Sequence, residues 1–264
     1  MRLQDRVAIV TGGAIGLGKG ISSRLAREGA KVVLASRTES ALREMASSIE
    51  ANGGAALAVP TDVCDEEQVK AMVSKTMDRF GQIDLLVNNA GYIGQLGDFM
   101  SLPGSEWIDT YRVNLMGTMF CSREVLKTMI PKRQGVIVNI SSIAAATGFL
   151  PTMPYNCSKA AIGILTTDLA RIAAPHMIRV NALLLGPIDL SGAGVPAGAS
   201  EVRPETASGQ IPEELDLWPF FGMSAPPGGS LLPDEIASTI VYLASDEAAG
   251  ITGEHIKMFT RLRE

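Results

Sequence analysis

Up to residue 186, apolar positions alternate between two rhythms. Short runs rich in β-branched residues recur at Val7–Thr11, Lys31–Ala35, Ala55–Thr61, Asp84–Asn88, Val136–Ser141 and Ile178–Leu185. Between them apolar residues fall three and four apart, which predicts helices over Gly16–Glu28, Glu39–Asn52 and Asp65–Phe80. A further long helix ends before Pro131, and another spans Tyr155–Arg171 with Pro175 as its stop. Strand–helix alternation at this pace implies parallel strands joined by right-handed crossovers, with helices on both faces. The strands read as continuous apolar runs, such as Val7-Ala8-Ile9-Val10 and Leu85-Leu86-Val87, as a sheet covered on both sides requires. The fold expected is therefore α/β, a doubly wound parallel sheet of the Rossmann type, with residues 1–264 as a single domain.

From Pro187 to Leu232 the rhythm breaks, and seven prolines fall in this stretch. A loop of that length inside a compact domain reads as a substrate loop or lid, with a short helix expected at Pro212–Trp218. Regular structure is predicted again over Asp234–Ala244, and a last short strand over His255–Phe259.

Composition narrows the function. The 264 residues are 46% hydrophobic and 19% charged, which suits a well-buried core. A net charge of −5 argues against nucleic acid, whose phosphates demand a basic footprint. No apolar run reaches the length of a membrane span. Met1 to Asp5 leads directly into a short strand-like run, with no secretory core. Cys64, Cys121 and Cys157 are widely scattered, as in a reducing compartment, so a cytoplasmic protein is expected. His176 and His255 have no clustered ligands, and no metal site is read.

The first strand runs into Thr11-Gly12-Gly13-Ala14-Ile15-Gly16-Leu17-Gly18 and then a helix. Glycines in such a turn let the backbone approach a pyrophosphate, and the helix start supplies amide donors. Gly12, Ala14, Ile15, Gly16, Leu17 and Gly18 are the candidate phosphate-binding residues; a tight turn without ligand is the plain alternative. Sites that prefer NAD place a carboxylate about 20 positions onward, at the end of the second strand. Here that strand ends Ala35-Ser36-Arg37-Thr38, with no acid until Glu39. Ser36 and Arg37 instead suit a 2′-phosphate, so NADP(H) is expected and NAD(H) is the alternative. Arg37 as a solvated loop cation would leave that choice open. Asp62 and Val63 close the third strand, where the carboxylate could accept from an adenine amino group or cap the next helix. Asn88-Asn89-Ala90-Gly91 ends the fourth strand, at the carboxyl edge where such sheets bind ligands. Asn89, Ala90 and Gly91 are assigned to the floor beneath the cofactor, a structural turn being the alternative.

Tyr155 and Lys159 lie four apart on a helix, so hydroxyl and ammonium face the same space. A free phenol ionises near pH ~10, and a nearby cation is expected to lower that value toward a useful acid or base. Alone the pair could equally be a solvated helix face.

Taken together, these pieces resemble the classical short-chain dehydrogenase/reductase family over nearly the whole chain. The matching positions are Thr11, Gly12, Gly16 and Gly18; Asn88 to Gly91; Asn114; Ser142, 13 residues before the tyrosine; and Tyr155 with Lys159. The resemblance implies an oxidoreductase that moves a hydride between a nicotinamide and a carbonyl or alcohol. On that basis Ser142 would hold the substrate oxygen and Tyr155 would give or take its proton. Lys159 would favour the phenolate and grip the ribose, and Asn114 would hold a water linking Lys159 to solvent. The main expectation is reduction of a ketone with NADPH; NAD-dependent oxidation of an alcohol and a non-catalytic dinucleotide sensor are the rivals.

Two departures stand out. After the sixth strand the chain reads Gly186-Pro187-Ile188-Asp189-Leu190, so Ile188 can still offer its amide to the cofactor. Leu190 lacks the hydroxyl of the family threonine, and Ser191 is the candidate to replace it. The C-terminal strand reads Ile256-Lys257-Met258-Phe259 where the family has Val-Asp-Gly-Gly, which counts against the homo-oligomer, tetramer or dimer, that the resemblance implies. Trp218, Phe220, Phe221 and Met223 in the lid, with Tyr92 and Ile93, point to a substrate with a hydrophobic part. A 3-oxoacyl thioester, a cyclic or aryl ketone and a steroid-like ketone all fit.

Overall fold

A computed structural model describes residues 1–148, 152–191 and 229–259. Seven strands form one parallel sheet: β1 (Val7–Thr11), β2 (Lys31–Ser36), β3 (Ala55–Pro60), β4 (Leu85–Asn88), β5 (Gly135–Ser142), β6 (Ile178–Leu185) and β7 (His255–Met258). Their spatial order is β3-β2-β1-β4-β5-β6-β7, so strands are added outward on one side of β1 as far as β3 and on its other side from β4 onward. That switch of sides opens a crevice at the carboxyl ends of the strands. The doubly wound Rossmann architecture expected from the sequence is the one observed.

Alternate strand residues serve opposite faces. Ala8, Val10, Val32, Leu34 and Leu183 pack with α1 (Gly16–Arg27), α2 (Glu39–Ala51) and α8 (Pro233–Ala244). Val7, Ile9, Val33, Ile137 and Val180 pack with α3 (Glu66–Phe80), α5 (Gly117–Lys132) and α7 (Met153–Ala173). Both faces are covered by helices, which accounts for the unbroken apolar strands.

The helix after β4 differs from the expectation. It begins as α4 (Gly104–Tyr111), widens into a π turn at Arg112–Met116, and continues as α5 through Pro131 to Lys132. Pro131 is tolerated because it sits in the last turn, where few further amides depend on the ladder, and Arg133 then turns left-handed at φ 51. Asp65, not Asp62, caps α3, accepting from the Glu67 and Gln68 amides at 2.9 and 3.2 Å. A four-residue helix α6 (Ala144–Thr147) follows β5. Among the described residues, no helix is long and apolar enough to cross a membrane. Most of the expected lid, including Pro212–Trp218, Phe220, Phe221 and Met223, lies outside the described residues.

Candidate active site

Two cavities share the crevice and meet at Gly12 and Gly91. The inner one, about 890 Å³ of empty space, is lined by the glycine turn and by the catalytic candidates Ser142, Tyr155 and Lys159. The outer one, about 740 Å³, is lined by the ends of β2 and β3 and by the π turn.

The glycine turn is shaped by close backbone approach. Gly12 is at φ +62, and a Cβ on Gly18 would land on the Gly12 carbonyl oxygen, so α1 starts against its own approach strand only with glycine there. Thr11 Oγ1 accepts from the Asn89 and Ala90 amides, each at 3.0 Å, and Asn89 Nδ2 donates to the Thr11 carbonyl at 2.9 Å. Asn89 therefore clamps the turn as well as lining the cavity. The start of α1 has no side-chain cap and no acid in its first turn. Its amides and dipole, open to the cavity at Ile15, Gly16, Leu17 and Gly18, fit an anionic diphosphate. The side chain of Ala14, also expected among the phosphate ligands, packs in the core, which leaves only its backbone for that role, and Ala14 lines neither cavity. Ser36, Arg37, Asp62, Val63, Ala90 and Gly91 all line the outer cavity, as placed from the sequence. Asp62 accepts from the Cys64 amide at 2.9 Å.

At the inner end, α7 is tied to β5 twice. Ser141 Oγ donates to the Lys159 carbonyl at 3.0 Å, and Lys159 Nζ donates to the Ile140 carbonyl at 2.8 Å. Tyr155 is half-buried and hydrogen-bonded to the Ser142 hydroxyl. Lys159 Nζ lies 5.5 Å from the Tyr155 ring centroid, beside the ring face. The sequence reading has the ammonium lowering the phenol pKa; here burial raises it, with the Ser142 bond pulling the other way. Burial pushes the Lys159 amine down to about 8.

Asn114 sits in the π turn, fully buried. Its Oδ1 accepts from the Tyr92 amide at 2.7 Å, and its Nδ2 donates to the Tyr92 carbonyl at 2.9 Å and to Ser158 Oγ at 2.8 Å. The side chain is thus engaged by protein partners on both sides, which adds a structural role to the water-holding one expected from the sequence. It is a positioning residue that pins the loop after β4 to α7. A Cβ at Gly91 would lie 3.6 Å from both Asn114 Oδ1 and Lys159 Nζ, so these two groups converge over the cavity floor.

Ile188 lines the inner cavity as expected, and so does Leu190. Ser191, the candidate to replace the missing threonine, lines neither cavity: it is exposed, and its hydroxyl donates to Asp189 Oδ1 at 2.6 Å. Despite its altered sequence, β7 pairs in parallel with β6 from Ala182↔His255 to Leu185↔Met258. Arg112, Asp109 and Cys64, which no motif marks as site residues, also line the outer cavity. Arg112 and Asp109 carried no signal, because the widened turn that brings this stretch to the cavity has no sequence signature.

The family model described as short chain dehydrogenase matches residues 6–197. A 1,6-dihydroxycyclohexa-2,4-diene-1-carboxylate dehydrogenase of Acinetobacter baylyi is 34% identical, with 96% of this chain and 94% of that protein covered. A cis-4-hydroxycyclohexanecarboxylate dehydrogenase of Sinomonas cyclohexanicum is 35% identical, over 94% and 93%. A solved structure of NAD+-bound xylitol dehydrogenase superposes with TM-score 0.83 at 28% identity, over 98% of this chain and 99% of the other. The protein is a member of the short-chain dehydrogenase/reductase family, oxidoreductases that act on alcohol and carbonyl groups of small molecules.

Proposed function

We propose that the protein reduces a cyclic ketone to a secondary alcohol with NADPH. The observation that carries the reading is the grouping of Ser142, Tyr155 and Lys159 at the inner end of the crevice, where the phenol, hydrogen-bonded to Ser142, is placed to give a proton to a carbonyl oxygen. The choice of NADPH rests on Arg37, and on the lack of an acid at the end of β2. Apolar Ile93, Leu185, Ile188 and Leu190 line the inner cavity and suit a carbon ring. The names of the two relatives, each with a hydroxyl on a six-membered ring, support that substrate class.

In this reading the α1 amides hold the diphosphate, and Arg37 the 2′-phosphate. Bound reduced nicotinamide supplies the hydride for the carbonyl carbon. Ser142 donates a hydrogen bond to the substrate oxygen and orients it. Tyr155 gives its phenolic proton to that oxygen as negative charge develops, forming the alcohol, and regains a proton from solvent. Lys159 is an ammonium at neutral pH and stabilises the transient phenolate.

A second reading, NAD-dependent oxidation of a ring alcohol, is favoured by the NAD+-bound structural neighbour and the dehydrogenase names of the relatives. A panel of cyclohexanone carboxylates, aryl ketones and acyl thioesters, with their alcohols, run with both nicotinamides and followed by absorbance, separates the two. Turnover of a cyclic ketone with NADPH at higher kcat/KM than with NADH is expected. Turnover of alcohols with NAD+ alone, or of no cyclic substrate, would overturn the proposal.

A further inference from the structure

The outer cavity has more charge than a single arginine. Arg37 enters it from the end of β2, and Arg112 from the π turn between α4 and α5. Asp62 and Asp109 line the same space. Neither guanidinium is in an ion pair among the described residues. Arg112 adds a second positive charge to that of Arg37 and a second fork of donors, as a phosphate dianion requires.

Packing explains how Arg112 arrives there. A Cβ on Gly117 would lie 2.7 Å from Val63 Cγ2, so only glycine lets the start of α5 rest directly on the loop that follows β3. Arg123 on α5 bonds Glu66 on α3 at 2.6 Å and fixes the same approach one turn and a half further on. Arg112, five positions before Gly117, is thereby carried to the lip of the cavity. Burial first, then the Asp62 charge, push the Cys64 thiol up to about 11, while Arg112 and Arg37 pull it down. Both guanidiniums are thus within electrostatic range of one sulfur.

The geometry points to Arg112 as a second cation for the 2′-phosphate, sharing the outer cavity with Arg37 and acting as a specificity-determining residue. The inference rests on the NADPH reading and extends it to a residue outside the loop after β2. Because the same π turn holds Asn114, the turn that orders the inner site also reads the far end of the cofactor.

The test is calorimetric binding of 2′,5′-ADP and 5′-AMP, which differ only in the 2′-phosphate, to the parent, Arg112→Ala, Arg112→Lys and Arg37→Ala. Far-ultraviolet circular dichroism and thermal melts check each fold. Loss of one charge-assisted contact predicts that Arg112→Ala raises the Kd for 2′,5′-ADP about tenfold or more and changes that for 5′-AMP less than about twofold. Arg112→Lys should recover part of the loss, since it keeps the charge without the fork. A parent that binds both ligands equally refutes the NADPH reading itself, and this inference with it. A parent that discriminates through Arg37 while Arg112→Ala discriminates equally well overturns the inference alone. Equal losses for both ligands in Arg112→Ala would assign the residue to the adenine or the fold, and also overturn it.

Discussion

Lys159 Nζ donates to the Ile140 carbonyl at 2.8 Å, so the amine one helical turn beyond Tyr155 is anchored to β5 rather than to the phenol. The bond fixes the ammonium beside the ring while burial makes its charge costly, which is why its pKa falls to about 8.

That depression has a sign in stability. A lysine with an unfolded value near 10.5 and a folded value of about 8 costs stability in full below pH 8. Between these values the unfolded chain binds more protons, so stability rises with pH until the unfolded lysine also titrates. Urea unfolding from pH 7 to 10.5 should show a gain of about 3 kcal/mol in the parent relative to Lys159→Met, as an order of magnitude. Parallel pH profiles for the two proteins would refute the buried-charge account.

Gly18→Ala sets two effects against each other. Alanine favours a helix interior by about 1 kcal/mol over glycine. The added methyl, however, would strike the Gly12 carbonyl oxygen and come within 2.8 Å of Asn89 Nδ2. Neither backbone nor clamp can yield easily, so the clash should win, with a net loss of about 1–3 kcal/mol and weakened nucleotide binding. A raised melting temperature with unchanged dinucleotide affinity would show that the turn is looser than described.

Asn114→Ala leaves the Tyr92 amide and carbonyl and Ser158 Oγ each short of a partner. At about 1–3 kcal/mol for each buried group that loses a bond, a total loss of about 3 kcal/mol or more is expected in urea unfolding. Turnover should fall more steeply than substrate affinity, because the loop after β4 and α7 lose their common pin. Stability and kcat both near the parent's would deny Asn114 its positioning role.

Much of this was legible from residue patterns, for physical reasons. A sheet buried on both faces forces unbroken apolar strands, so β1 and β4 were readable directly. A carboxylate missing after β2 and a tyrosine–lysine pair at helical spacing are local signals, and they placed Arg37, Tyr155 and Lys159 in one crevice. What stayed hidden depends on contacts between distant segments. Lys159 binds a carbonyl of β5, and a backbone oxygen has no sequence identity. Nothing in Val113-Asn114-Leu115 reveals that Tyr92 and Ser158 will bind the Asn114 amide. Ala14 sits in the phosphate turn, and only the folded chain shows that its small side chain packs into the core. Ser191 was adjacent in sequence to the missing threonine, yet Asp189 captures its hydroxyl.

Tyr155→Phe tests the central claim most directly, because it keeps the ring against Lys159 and removes only the hydroxyl. With a cyclic ketone and NADPH at saturation, loss of a positioned proton donor predicts a fall in kcat of about 10²–10⁴-fold, with the Kd for NADPH within about threefold of the parent's, a difference under 1 kcal/mol. Turnover within a few-fold of the parent, at unchanged cofactor affinity, would contradict the account.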